Sequence, residues 1–221
     1  MTKNSDWQPG VVFTDTLSLT LDDEAQEVLR GIRNQLVATA IPVLHEPAHI
    51  TVAAVSTMNG VDSDLVDVGW PERVTLTTAC QLPNSDNVVA LCPHDSHRSR
   101  SACSEPTACD STTIFDTSQE VGAKSCSALA QGDGFCTSRI PEALRCPHER
   151  LHRRLAAVGV TTFNYYGPRW WNPHVTMGYQ VPLELQRRAV EILANVVPLE
   201  VGVTGVSVWH VADGQTYLLY P

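Results

Sequence analysis

Positive charge is scarce in this 221-residue chain: 15 Lys and Arg stand against 24 Asp and Glu, a formal net charge of −9. An extended nucleic-acid surface needs a basic stripe, and this balance argues against one. It leaves room for a small nucleotide or an RNA end held by a few local contacts. Long apolar runs are missing as well. No stretch approaches the length that spans a bilayer, and residues 1–10 are polar, without the apolar segment of a secretory signal. Cys-x2-Cys pairs, the spacing that makes zinc a strong reading, do not occur. Seven Cys is an odd number, and without a signal segment a disulfide framework is not expected. These absences predict a cytoplasmic protein with reduced thiols and no membrane partner. The length suffices for one large domain or two small lobes with a sizeable core.

One short phrase occurs twice. It reads Pro47-Ala48-His49-Ile50-Thr51-Val52 first and Pro173-His174-Val175-Thr176-Met177 later. In a strand, side chains two apart leave the same face. His49 and Thr51 therefore point one way and Ile50 the other, and His174 and Thr176 repeat the arrangement. Chance gives roughly 0.7 His-x-Thr matches in a chain with eight His, and two or more in about one such chain in six. Context sets this pair apart, because each copy has a preceding Pro, apolar flanks and a helical pattern upstream. Two imidazoles and two hydroxyls facing one cleft suit general acid–base chemistry on a phosphate ester. Unperturbed His titrates near neutrality, so a neutral one can activate water while a protonated one gives its proton to the leaving oxygen. The threonines would donate hydrogen bonds to the phosphoryl oxygens as charge develops there.

Around these phrases the periodicity alternates between strand and helix. Residues 10–20 read as a strand, and Asp22 and Asp23 open an amphipathic helix that runs to about residue 40, where Pro42 stops it. Residues 48–55 form the first motif strand. Strands at 73–79 and 87–91 follow, joined by a Pro-Asn-Ser-Asp turn. Order resumes with a helix at 147–157, a short strand at 160–166 and the second motif strand at 173–179. A helix at 182–196 and strands at 199–211 and 216–220 complete the chain. The fold expected is α+β: two similar lobes of antiparallel sheet with flanking helices around a central cleft, one at about 10–91 and one at about 147–221.

Between the lobes, residues 92–146 carry six of the seven Cys, many Ser and Thr and little periodicity. Three readings stay open: an irregular insertion, a translation out of frame, or a metal-binding insertion. The last would use Cys92, His94, His97, Cys103 and Cys109, or Cys126, Cys136, Cys146 and His148.

The pair His49-Ile50-Thr51 and His174-Val175-Thr176 resembles the defining motif of the 2H phosphoesterase superfamily, the group of 2′-5′ RNA ligases and cyclic phosphodiesterases. Leu17-Ser18-Leu19 and the stretch from Thr204 to His210 add to the likeness, which covers roughly 10–91 and 147–221. The resemblance implies two pseudo-symmetric lobes in a monomer with no metal and no cofactor, and hydrolysis of 2′,3′-cyclic phosphates or 2′-5′ bonds with His49 as the acid; the residues themselves leave open which His is acid and which is base. The long middle segment departs from the family plan. Tyr165, Tyr166, Trp170 and Trp171 precede the second motif and are placed either to stack a base or to pack a core. Tyr166 and Trp171 are the substrate-binding candidates, and Arg169 is a candidate for phosphate charge. The remaining histidines read as structural or surface residues. Two rival functions follow from the same text: a nucleotide or RNA-end binding module without turnover, and a zinc-organised interaction protein built on the Cys-rich middle.

Overall fold

Asp22 shows how local chemistry starts this fold. It follows β1 (Asp15–Leu21), and its carboxylate accepts the Ala25 N–H at 2.8 Å, which caps α1 (Asp23–Ala38). Asp23 and Glu24 in the first turn complement the helix dipole. Ala25, Leu29, Ile32 and Leu36 form the buried stripe, with Arg33 unexpectedly on it. In this computed structural model the described residues are 12–82, 87–94 and 140–221, and all belong to one compact unit.

The fold is α+β, with two antiparallel sheets. The larger has the order β2 (His49–Val55), β1, β7 (Leu199–His210), β3 (Arg73–Leu76), with β8 (Thr216–Tyr220) paired to β7. The smaller has the order β4 (Thr78–Gln81), β5 (Val89–Cys92), β6 (Val175–Gly178). A four-residue α2 (Ser63–Val66), α3 (Glu142–Ala157) and α4 (Leu183–Ala194) complete the main elements. Leu19, Leu29, Ile50, Leu151, Val175 and Val206 come from six different elements and share one buried cluster. Burial of such aliphatic side chains, about 1.5–3 kcal/mol each, holds both sheets and three helices together.

The sheets do not follow the two chain segments expected as lobes, 10–91 and 147–221. Strand β7, from the C-terminal part, lies between β1 and β3, and β6 joins β4 and β5. The physical reason is the length of β7. Its C-terminal half pairs with β1 from Asp15↔His210 to Leu21↔Val203, and its N-terminal half pairs with β3.

Local boundaries also moved. The expected strand at 73–79 breaks at Thr77, where the chain changes sheets. There the Thr77 hydroxyl donates to the His94 carbonyl and accepts its N–H, at 3.0 and 2.8 Å. The expected turn after it, residues 83–86, lies outside the described residues. Helix α3 starts at Glu142 rather than 147. Pro147 removes one ladder bond there, but Leu144 is buried in the turn before it and offsets the loss. Residues 92–94 and 140–146 thus belong to the folded unit, and the rest of the expected 92–146 segment lies outside the described residues. In place of a strand at 160–166 there is one bridge, Val55↔Thr162, and a 3₁₀ turn over Asn164–Tyr166.

Candidate active site

Alternation along the two motif strands settles which side chains meet. Ile50 and Val52, like Val175 and Met177, are fully buried in the core. Their neighbours His49, Thr51, His174 and Thr176 are half-buried and line one cleft of about 1120 Å³. The two strands belong to different sheets, so the cleft lies where the sheets face each other. Its floor on the larger sheet is a row of hydroxyls. Thr51 pairs with Ser18 and Ser18 with Ser207 across β2, β1 and β7, and the Ser18 hydroxyl donates to that of Thr51 at 3.4 Å. Tyr165, Tyr166, Tyr179, Leu82 and Val88 supply a mixed aromatic and aliphatic wall.

Both motif histidines are held in the same way. His49 Nδ1 lies 2.9 Å from the Pro47 carbonyl, and His174 Nδ1 lies 2.7 Å from the Asn172 carbonyl. A carbonyl only accepts, so each Nδ1 carries a proton and each Nε2 is left for chemistry in the cleft. Burial, and after it the nearby charge of His49, push the His174 imidazole below its ordinary value, against the bond to Asn172. His174 is thereby neutral near pH 7, the state a general base needs.

Side chains from outside the motifs tie the two strands together. Trp171, just before the second motif, donates its indole N–H to the Thr51 carbonyl at 2.8 Å. Arg33 on α1 answers from the other side: one Nη donates to the Thr176 carbonyl at 2.9 Å, the other to the Glu46 carbonyl. Gln26, two turns earlier on α1, makes two bonds to the Ala48 backbone, at 2.7 and 2.8 Å. The threonine carbonyl of each motif therefore accepts from a side chain that belongs to the other motif's surroundings. Sequence reading missed Gln26 and Arg33. The one available signal was an arginine on the apolar stripe of α1, seven residues after Gln26 and so on the same face.

Trp171, expected among the substrate-binding residues, does not reach the cleft. It is 4% exposed and stacks on His148 with ring centroids 3.7 Å apart. Its large apolar ring is better hidden in the core than left on the cleft rim. Tyr166 does line the cleft, and burial pushes its phenol up to about 12. Arg169 lies outside the cleft lining, with its guanidinium 5.0 Å from the exposed Trp170 ring.

His148 and His152 form a buried pair behind β2. Both direct Nε2 at the Val52 carbonyl, at 3.0 and 3.2 Å, and His148 also reaches the Tyr166 carbonyl at 2.9 Å. Carbonyl partners require Nε2–H, so both rings donate through Nε2. Burial, then the charge of His152, pushes His148 down to about 3, and burial lowers His152 too. Between about pH 3 and 6.5 the unfolded chain therefore binds protons that the folded chain refuses. Stability should be level above pH 6.5 and fall as pH drops below it, by about 1.4 kcal/mol per pH unit for His148 at most. His210, raised by its bond to Asp15, works in the opposite sense but is solvent-exposed. Urea midpoints at pH 7.5, 6 and 5 should decline, and His148→Gln should flatten the decline. A wild-type midpoint constant over this range would overturn the pair's role.

Of the two cysteine-and-histidine sets proposed from spacing, only Cys92 and His94 of the first and Cys146 and His148 of the second are among the described residues. Cys92 meets Cys80, and His148 is committed to the backbone carbonyls and to Trp171. His97, Cys103, Cys109, Cys126 and Cys136 lie outside the described residues. Comparison of the chain with protein-family models and with curated proteins gives no match.

Proposed function

We propose that this cleft hydrolyses a phosphodiester, a 2′,3′-cyclic phosphate or a 2′-5′ bond of a small nucleotide or RNA end, by two-histidine acid–base catalysis without a metal. The observation that carries the proposal is the meeting of two His-x-Thr repeats in one cleft, each histidine tied through Nδ1 to the carbonyl two residues before it. The arrangement is the one expected of a 2H-type phosphoesterase.

His174 takes the role of base, because its environment favours the neutral ring. Its Nε2 accepts a proton from water as the oxygen attacks phosphorus. His49 then serves as the acid, giving the Nε2 proton to the departing ribose oxygen while its Nδ1–H stays on the Pro47 carbonyl. Thr51 and Thr176, with Ser18 behind Thr51, offer hydroxyl donors to the non-bridging oxygens as charge builds on them. Tyr166 and Tyr179 on the wall offer faces for a base.

Incubating the full chain with a panel of 2′,3′-cyclic nucleotides in EDTA tests the proposal. Turnover to a single monophosphate isomer is expected, with a rate unchanged by the chelator. A folded protein that turns over none of the cyclic nucleotides and no 2′-5′ dinucleotide would sink it. If such a protein still bound a nucleotide 2′-phosphate, the cleft would be a binding module.

A further inference from the structure

The β4–β5 hairpin carries a pair of groups that the proposed chemistry does not use. Cys80 on β4 and Cys92 on β5 point to the same face, and their sulfurs lie 2.6 Å apart. The register pairs Cys80 with Ala90 and Thr78 with Cys92, so the thiols approach across a diagonal of the hairpin. Non-bonded heavy atoms rest at about 3.5–4.0 Å, and a disulfide needs about 2.05 Å. The two sulfurs therefore sit inside ordinary contact, about 0.6 Å from bonding distance. Leu82, Val88 and Ala90 share their small buried cluster.

We propose that Cys80 and Cys92 form a reversible disulfide, a redox modification site in the hairpin behind the cleft wall. The oxidant is a low-molecular-weight disulfide. The Cys80 thiolate attacks one of its sulfurs and expels a thiol, which leaves a mixed disulfide. The Cys92 thiolate then attacks the Cys80 sulfur and expels the second thiol. Two protein thiols are oxidised, one small disulfide is reduced, and the two thiol protons leave with its halves. Both thiols are buried, Cys80 at 8% exposure and Cys92 at 0%. Cys80 is the entry point, because it lies on the edge strand β4, which opens locally at lower cost than β5 between its two neighbours.

The site touches function through two neighbours. Strand β5 is the direct partner of β6, with Ala90 opposite Thr176. Leu82 and Val88, from the same cluster, line the cleft. Closing the bond would stiffen the strand against which the second motif is registered.

The test uses the full chain with oxidised glutathione, followed by denaturation, alkylation and peptide mapping. A peptide pair joined through Cys80 and Cys92 is expected, lighter by two hydrogens than the two thiol peptides and released by dithiothreitol. The melting temperature of the oxidised protein should rise by about 5–10 °C. Cys80→Ala or Cys92→Ala should abolish both effects. Should either variant fail to fold, replacing Cys103, Cys109, Cys126, Cys136 and Cys146 together by Ser should leave both effects intact. Alkylation of both thiols after oxidation, a glutathione adduct that persists on Cys80, or linkage of either residue to a different cysteine would overturn the proposal.

Discussion

His174→Ala is expected to lower kcat on a 2′,3′-cyclic nucleotide by about 10²–10⁴-fold, with KM changed little. The effect belongs in kcat because a general base acts as the bond forms, not when the ground state binds. His49→Ala should lose a similar factor, and the double variant should lose little more than the worse single one, since the base and the acid act as a unit in one displacement at phosphorus. The pH profile should separate their roles. Burial and the His49 charge lower the His174 ring, so it stays neutral, and kcat/KM should hold, to below the ordinary histidine value on the acid side. His174→Ala should remove that acid limb. Turnover unchanged in either single variant would refute the assignment of that histidine.

Arg33→Met should destabilise the fold by about 2–4 kcal/mol and reduce kcat at least tenfold. Arg33 is 9% exposed, and its guanidinium spans two backbone carbonyls, Glu46 before the first motif strand and Thr176 within the second. Removing it leaves both carbonyls without that donor, a loss of about 1.5–3 kcal/mol for each charge-assisted bond, partly offset because a buried cation no longer needs desolvation. Burial already lowers the Arg33 pKa, against the favourable charge of Glu46, which shows that this desolvation is felt. The catalytic loss follows from geometry. The motif strands lie in different sheets, so no ladder hydrogen bond aligns them, and a shift of about 1 Å between the histidines is enough to cost 10²-fold. Arg33→Lys should rescue only in part, because a point donor cannot hold both carbonyls at once. Urea unfolding and steady-state kinetics on the same preparations check both arms. A variant that is destabilised but keeps full kcat would confine Arg33 to stability.

Elements with strong periodicity were legible from the chain alone. The Asp22 cap, the stripe of α1, the apolar inward faces of β2 and β6 and the helix α4 all follow from spacings of about 3.6 or 2 residues. The same alternation put His49 with Thr51, and His174 with Thr176, on one face each. Boundaries were less legible where packing outweighs propensity. Leu144 carries α3 ahead of Pro147, and Thr77 breaks a continuous strand pattern between two sheets.

What the chain by itself determined about this protein is thus the local set: which residues form strands and helices, and which side chains leave each strand together. Periodicity is a property of neighbours, so neighbours suffice to read it. Which strands lie side by side, and which side chains cross between them, was decided only by the tertiary structure. The seating of β7 between β1 and β3, the placing of Arg33 on Thr176 some 143 residues away, and the withdrawal of Trp171 into the core beneath Thr51 all depend on long-range contacts. Their physical cause is the need to give every buried carbonyl a donor and every large apolar ring a cover. No spacing along the chain records where those partners will be found.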